Sequence, residues 1–245
     1  MAGNDGFSPG GYLLTCCKYR TKEEILELFR SLGVKYISRS RVDWEPLFSI
    51  PLDRTPYYLA NKEEFERLAA VYGNHIRNAA MAPVYIKKVN DTIGLGVFAA
   101  APIDAGEFIG EYAGVVQVAG KHTVTYTSEN GYESDYSWYY LDSPQGAPPL
   151  EINGRLEGNE MRFVNHGTAP NLNVEHTIVD GQWVLFFTAA RQIAKDEQLL
   201  IATEKSIGMA DTGPWRSRPI LRPCAMGKDS LVLIVVENIF SKTLF

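Results

Sequence analysis

Met161-Arg-Phe-Val-Asn-His-Gly-Thr-Ala-Pro-Asn171 is the stretch whose reading decides the fold. An apolar pair, Phe163 and Val164, runs straight into Asn165 and His166, and a small-residue turn then closes on Pro170 and Asn171. Three polar side chains of different reach (Arg162, Asn165, His166) therefore sit beside residues that would bury their backbone. Buried peptide groups need partners, so such a segment pairs with neighbouring chain or with a ligand. Taken alone, a tight turn with one core histidine is the better explanation. Its surroundings argue for more: Gly158-Asn159 lies just upstream, Gly94-Leu95-Gly96 far upstream, and Glu111-Tyr112-Ala113-Gly114 between them.

The rest of the composition bounds the answer. A chain of 245 residues with 45% hydrophobic and 22% charged residues can bury a full core and has the make-up of a globular protein. The net charge of −5 argues against a protein whose task is to coat nucleic acid; it suits a site that receives a basic peptide, although mild acidity is also the ordinary default. Cys16, Cys17 and Cys224 are too few for a disulfide framework or a four-cysteine zinc site, and read as free thiols in a reducing, intracellular compartment. No charged-then-apolar leader opens the sequence, and the longest apolar run, Leu231–Val236, is far short of the roughly 20 residues that cross a bilayer. Neither a membrane nor a direct nucleic-acid partner is expected.

In chain order, residues 1–14 are Gly-, Ser- and Asn-rich and read as loose. Thr21-Lys-Glu-Glu24 is a capping box before Ile25, Leu28, Phe29 and Leu32 at helical spacing, with Gly33 as the stop. Asn61-Lys-Glu-Glu64 repeats that start, and Phe65, Leu68, Ala69 and Tyr72 repeat the stripe, continuing through Ile76 towards Ala80. Pro46, Pro51 and Pro56 mark an irregular connection. From Pro83 the pattern turns to strands: Val84–Val89, Gly96–Ala99, a longer one over Phe108–Val118 broken by glycines, Trp138–Leu141, Asn173–Val179, Trp183–Thr188 and Leu199–Ile201. Asp180-Gly181 is a hairpin turn. The expected fold is mostly β with a helical N-terminal appendage (α+β): a helical region over 1–82, a β domain over 83–203 with an insertion at about 119–157, and an atypical tail over 204–245.

Together, Gly94-Leu95-Gly96, Gly106-Glu-Phe-Ile-Gly-Glu-Tyr-Ala-Gly114 and Gly158-Asn-Glu-Met-Arg-Phe-Val-Asn-His166 followed by Pro170-Asn171 resemble the SET-domain protein-lysine methyltransferases. The layout is similar to that of bacterial, chlamydial-type SET proteins, which would make the protein a bacterial effector, exported or not. The resemblance implies a SET-domain β fold closed by a C-terminal pseudoknot, and S-adenosyl-L-methionine as cofactor. It assigns the glycine turn at Gly94, Leu95 and Gly96 and the pair Asn165-His166 to cofactor binding, with Arg162 and Phe163 flanking. Tyr136 and Trp138 could reach the cofactor from the insertion, with core packing as the plainer role. It assigns Tyr112 to the lysine channel, and histones or other basic proteins to the substrate. The Ser-Cys that often follows the histidine is Gly167-Thr168 here, so no metal is expected.

The implied chemistry is in-line methyl transfer from a sulfonium to a lysine amine. Bringing a free lysine to its neutral form at pH 7 costs about 4–5 kcal/mol, which an apolar channel and a nearby positive sulfur reduce. The pattern breaks after Asp196-Glu-Gln-Leu-Leu-Ile201, where the family continues with Asp-Tyr and this chain has Ala202-Thr203. Thr203 thus stands at the position of the usual catalytic tyrosine, with a shorter reach and no aromatic wall. One A inserted after the first base of the Ala202 codon would give aspartate, and then permit Tyr-Gly-Lys-Val-Tyr-Trp-Asp. A frameshift at Ala202 is therefore expected. The alternative is a SET fold without catalysis that binds cofactor or peptide as an interaction module.

Overall fold

The computed structural model describes residues 18–119, 136–143 and 147–202. The expectations for residues 1–14, the three cysteines, Thr203 and the tail, and most of the polar stretch after Gly120 lie outside the described residues. In order, the elements are β1 (Lys18–Tyr19), α1 (Lys22–Ser31), β2 (Lys35–Tyr36), β3 (Arg41–Val42), α2 (Pro56–Ala60), α3 (Lys62–Arg77), β4 (Val84–Asn90), β5 (Gly94–Ala99), β6 (Phe108–Glu111) and β7 (Val115–Val118). They continue with β8 (Ser137–Tyr139), β9 (Leu150–Asn153), β10 (Glu157–Gly158), a 3-10 turn at Glu160–Phe163, β11 (Asn165–Gly167), β12 (Leu172–Val179), β13 (Gln182–Ala189) and β14 (Leu200–Ala202). Among the described residues no helix is long and apolar enough to cross a membrane.

The strands form small sheets: β1-β4-β5, β12-β13-β6, β3-β7-β9-β8, and the pairs β10-β2 and β11-β14. The β12–β13 hairpin is in register from Leu172↔Ala189 to Val179↔Gln182. Its turn, Asp180-Gly181, has φ of +52° and +74°, the left-handed pair that a two-residue hairpin requires. The Thr21 capping box forms as read, the hydroxyl accepting from the Glu24 amide at 3.2 Å while Glu24 accepts from the Thr21 amide at 3.0 Å. Helices α1 and α3 bury Ile25, Leu28, Phe29 and Phe65 in the same core as Ile86, Val97, Ile109, Trp183 and Phe187.

Two local readings change. Asn61 stands at the N-cap of α3 but its side chain makes no capping hydrogen bond: the carboxamide donates instead to the Tyr57 carbonyl (2.8 Å), because α2 already leads into α3 through that residue. The long strand expected over Phe108–Val118 is two strands in different sheets. The chain crosses between them at Tyr112–Gly114, where a Cβ on Gly114 would lie 2.7 Å from the Asn153 carbonyl oxygen. Within 119–157, β8 lies by the strand expected at Trp138–Leu141, and it pairs with β9, which in turn pairs with β7.

The hairpin also carries an acid-sensitive group. Trp183 Nε1 donates to His176 Nδ1 at 3.2 Å, so the neutral ring carries its proton on Nε2. Burial pushes the imidazole pKa down from 6.5 to about 4. A folded pKa below the unfolded one means that the unfolded chain takes up the proton first. Stability is therefore unaffected by this group above pH 6.5 and falls as the pH drops from there towards 4. Between pH 7.5 and pH 5 His176 alone should remove about 2 kcal/mol. Urea titrations at both pH values should show that difference shrink by about this amount in His176→Gln.

Candidate functional site

Asn159 is where the site begins. Fully buried, it caps the Glu160–Phe163 turn by accepting from the Met161 amide (3.2 Å), and its carboxamide nitrogen donates to the Glu111 carbonyl (2.8 Å). Its oxygen also receives the Ala113 amide at 3.4 Å. One carboxamide thus straps the turn to the segment carrying Tyr112. Beyond Val164 the chain extends as β11, which pairs in parallel with β14: Asn165↔Leu200, His166↔Ile201, Gly167↔Ala202. Asn171 fastens the same junction, donating to Glu197 Oε1 (2.7 Å) and the Gln198 carbonyl (2.9 Å) while accepting from the Leu200 amide (2.8 Å).

Asn165 Nδ2 then donates to the Leu95 carbonyl at 2.9 Å, across 70 residues of chain. This approach explains Gly96. A Cβ there would lie 2.7 Å from Gln198 Nε2 and from Val89 Cγ2, and 3.1 Å from Asn165 Nδ2. Gly94, at φ +79°, takes the left-handed conformation that glycine adopts without strain. Gly94-Leu95-Gly96, expected as a turn, opens strand β5 and is brought against the Asn-His pair; Gly94, Leu95, Asn165, His166 and Gly167 are half-buried.

The remaining expected residues form a second group beside the first. Arg162 is buried, donating through Nε to the Gly154 carbonyl (3.0 Å) and through Nη2 to the Arg155 carbonyl (3.2 Å). Its guanidinium lies 4.2 Å from the centroid of the Tyr136 ring and 4.8 Å from that of Phe163. The Tyr136 carbonyl accepts both the Tyr112 hydroxyl and the Gly154 amide, each at 2.8 Å. Tyr112 is buried edge-on against Trp138 and Phe187, and burial pushes its hydroxyl pKa up, so it stays protonated as the donor. Gly154 has no room for a side chain, since a Cβ would sit 2.7 Å from Tyr112 Oη. Phe163 packs edge-on against Phe29 in the core.

Glu111 was not singled out by its own side chain, yet it is buried, accepts from the Ser40 amide (2.8 Å) and faces Arg39 Nε at 3.6 Å. Burial pushes its carboxyl above the usual range, against the pull of Ser40 and Arg39. Thr203 lies outside the described residues. Among the described residues no group of three or more His, Cys, Asp or Glu could hold a metal.

A family model described as "SET domain" matches residues 94–202. Over 125 residues, 50% of the chain, the sequence is 30% identical to the histone-lysine N-methyltransferase EZH2 of Chaetomium thermophilum, of which the match spans 8%. Over 131 residues it is 28% identical to the histone-lysine N-methyltransferase ASHH3 of Arabidopsis thaliana, covering 52% of this chain and 35% of that one. The crystal structure of ATXR5 in complex with a mono-methylated histone H3.1 superposes with a TM-score of 0.55 at 19% identity, over 73% of this chain and 84% of that one. That likeness is one of fold. The matched segment, under half of the chain, contains Gly94–Gly96, Tyr112, the Asn159 strap and the Asn165–Leu95 contact, so these residues fall within the part of the chain that is similar to a SET domain.

Proposed function

We propose that the protein is an S-adenosylmethionine-dependent protein-lysine N-methyltransferase acting on histones or other basic proteins. The observation that carries this reading is the Asn165–Leu95 hydrogen bond, which joins the two motifs assigned to the cofactor. The donor set there fits such a ligand: strand peptide groups, one carboxamide and one imidazole suit a heterocycle edge and an amino-acid end. The bound cofactor supplies an electrophilic methyl group on a positive sulfur. Everything else falls to the chain. Asn165 and His166 hold and orient, with β11 and β14 fixing their backbone. Tyr112, immobilised by the Tyr136 carbonyl and walled by Trp138 and Phe187, offers a fixed aromatic surface along which a lysine stem aligns. An apolar wall disfavours the ammonium form and so eases loss of the lysine proton before its nitrogen attacks. Positioning of this kind is a large part of what a transfer without a covalent intermediate requires.

Thr203 favours a second reading, a SET fold that binds cofactor or peptide without turnover. Incubation with methyl-labelled cofactor and a panel of basic proteins, each beside a copy with chemically blocked lysines, separates the two. Label confined to unblocked lysines supports the enzyme. Cofactor binding without label transfer supports the module.

A further inference from the structure

In Gly158-Asn159-Glu160-Met161-Arg162-Phe163 the motif leaves the third position open, yet Glu160 is only 4% exposed. A buried carboxylate is costly unless it is paired and hydrogen-bonded. Its partners come from outside the matched domain. The Tyr36 hydroxyl donates to Oε2 at 2.9 Å, with Oε1 at 3.3 Å, and Lys22 Nζ stands 3.6 Å away. The same ammonium lies 3.4 Å from the centroid of the Tyr36 ring. Burial, reinforced by the Glu160 charge, pushes the Tyr36 hydroxyl pKa up, so it remains a donor.

Further contacts run in parallel with this one. Phe29 of α1 meets both Tyr36 and Phe163 edge-on, at 5.2 and 5.6 Å between centroids. The Ile37 amide donates to the Gly158 carbonyl at 2.9 Å, and β2 pairs with β10 immediately before the turn. Both ends of Gly158–Phe163 are therefore gripped from the N-terminal region, and Asn165 follows two residues later.

We infer that Tyr36 and Glu160 are positioning residues: through them the N-terminal region braces the Glu160–Phe163 turn and so sets the place of Asn165 and His166. The inference rests on the reading of that pair as cofactor-binding, and it makes residues 22–41 part of the site instead of a separable appendage.

Tyr36→Phe removes the hydroxyl and keeps the ring contact with Phe29. Hydrogen–deuterium exchange of the full chain, without ligand, should then quicken roughly tenfold or more over residues 158–167 and stay within about twofold over 172–189. Affinity for S-adenosylmethionine should fall about fivefold or more. Glu160→Gln, which still accepts from the Tyr36 hydroxyl, should stay within about threefold of the parent in exchange. Unchanged exchange over 158–167 in Tyr36→Phe would overturn the brace. An equal rise over 172–189 would also overturn it, as general destabilisation. If the unaltered chain bound no cofactor, the functional reading would fail, and the exchange data would still decide the brace by themselves.

Discussion

Replacing everything after Ile201 with Asp-Tyr-Gly-Lys-Val-Tyr-Trp should raise single-turnover methylation of a histone mixture by roughly 10²-fold or more over the chain as written. The last described pair, Gly167↔Ala202, ends β14 beside the Asn-His strand. A tyrosine at position 203 would bring an aromatic wall and a hydroxyl. Thr203 brings neither the wall nor the reach. Thr203→Tyr alone should recover little, because Ala202 and the rest of the tail stay as they are. All three forms should bind cofactor alike, since Leu95, Gly96, Asn165 and His166 are untouched. Full activity in the unaltered chain would contradict both the frameshift at Ala202 and the placement of Thr203.

Asn165→Ala should weaken S-adenosylmethionine binding by roughly tenfold to a hundredfold, the cost of leaving buried polar groups without their partner. The carboxamide has two tasks in this account, one towards the ligand and one towards the Leu95 carbonyl. Asn165→Asp should lose at least as much, since a carboxylate would set an acceptor against that carbonyl. The β12–β13 hairpin shares no hydrogen bond with Asn165, so the variant should still fold. Calorimetry of the two variants beside the parent checks this, and unaltered affinity would remove the pair from the cofactor site.

What the sequence could show depended on how local the physics was. Thr21 and Glu24 satisfy each other within one helical turn, and Asp180-Gly181 sets its own hairpin, so both are legible from a few residues. Asn61-Lys-Glu-Glu64 carries the same lettering as a cap and fails, because the helix beginning at Pro56 has already committed Asn61 to the Tyr57 carbonyl. Strands of two or three residues, such as β2, β10 and β11, are too short to show a period and exist only through partners far away in sequence. The motif residues were legible as residue types. The strap from Asn159, the grip on Arg162 and the hold on Tyr112 were not, since their partners are backbone carbonyls of Glu111, Gly154, Arg155 and Tyr136, which leave no mark in a side-chain pattern. Glu160 was hidden for another reason. Its meaning depends on Tyr36, 124 residues away.

The central claim is that Gly94-Leu95-Gly96 and the Asn165-His166 strand form one cofactor site. Its most direct test is calorimetric titration of the unaltered full chain with S-adenosylmethionine in the presence of a chelator. The account predicts saturable one-to-one binding that the chelator does not change and that Asn165→Ala weakens. No binding by the unaltered chain, or binding that disappears with the chelator, would contradict it.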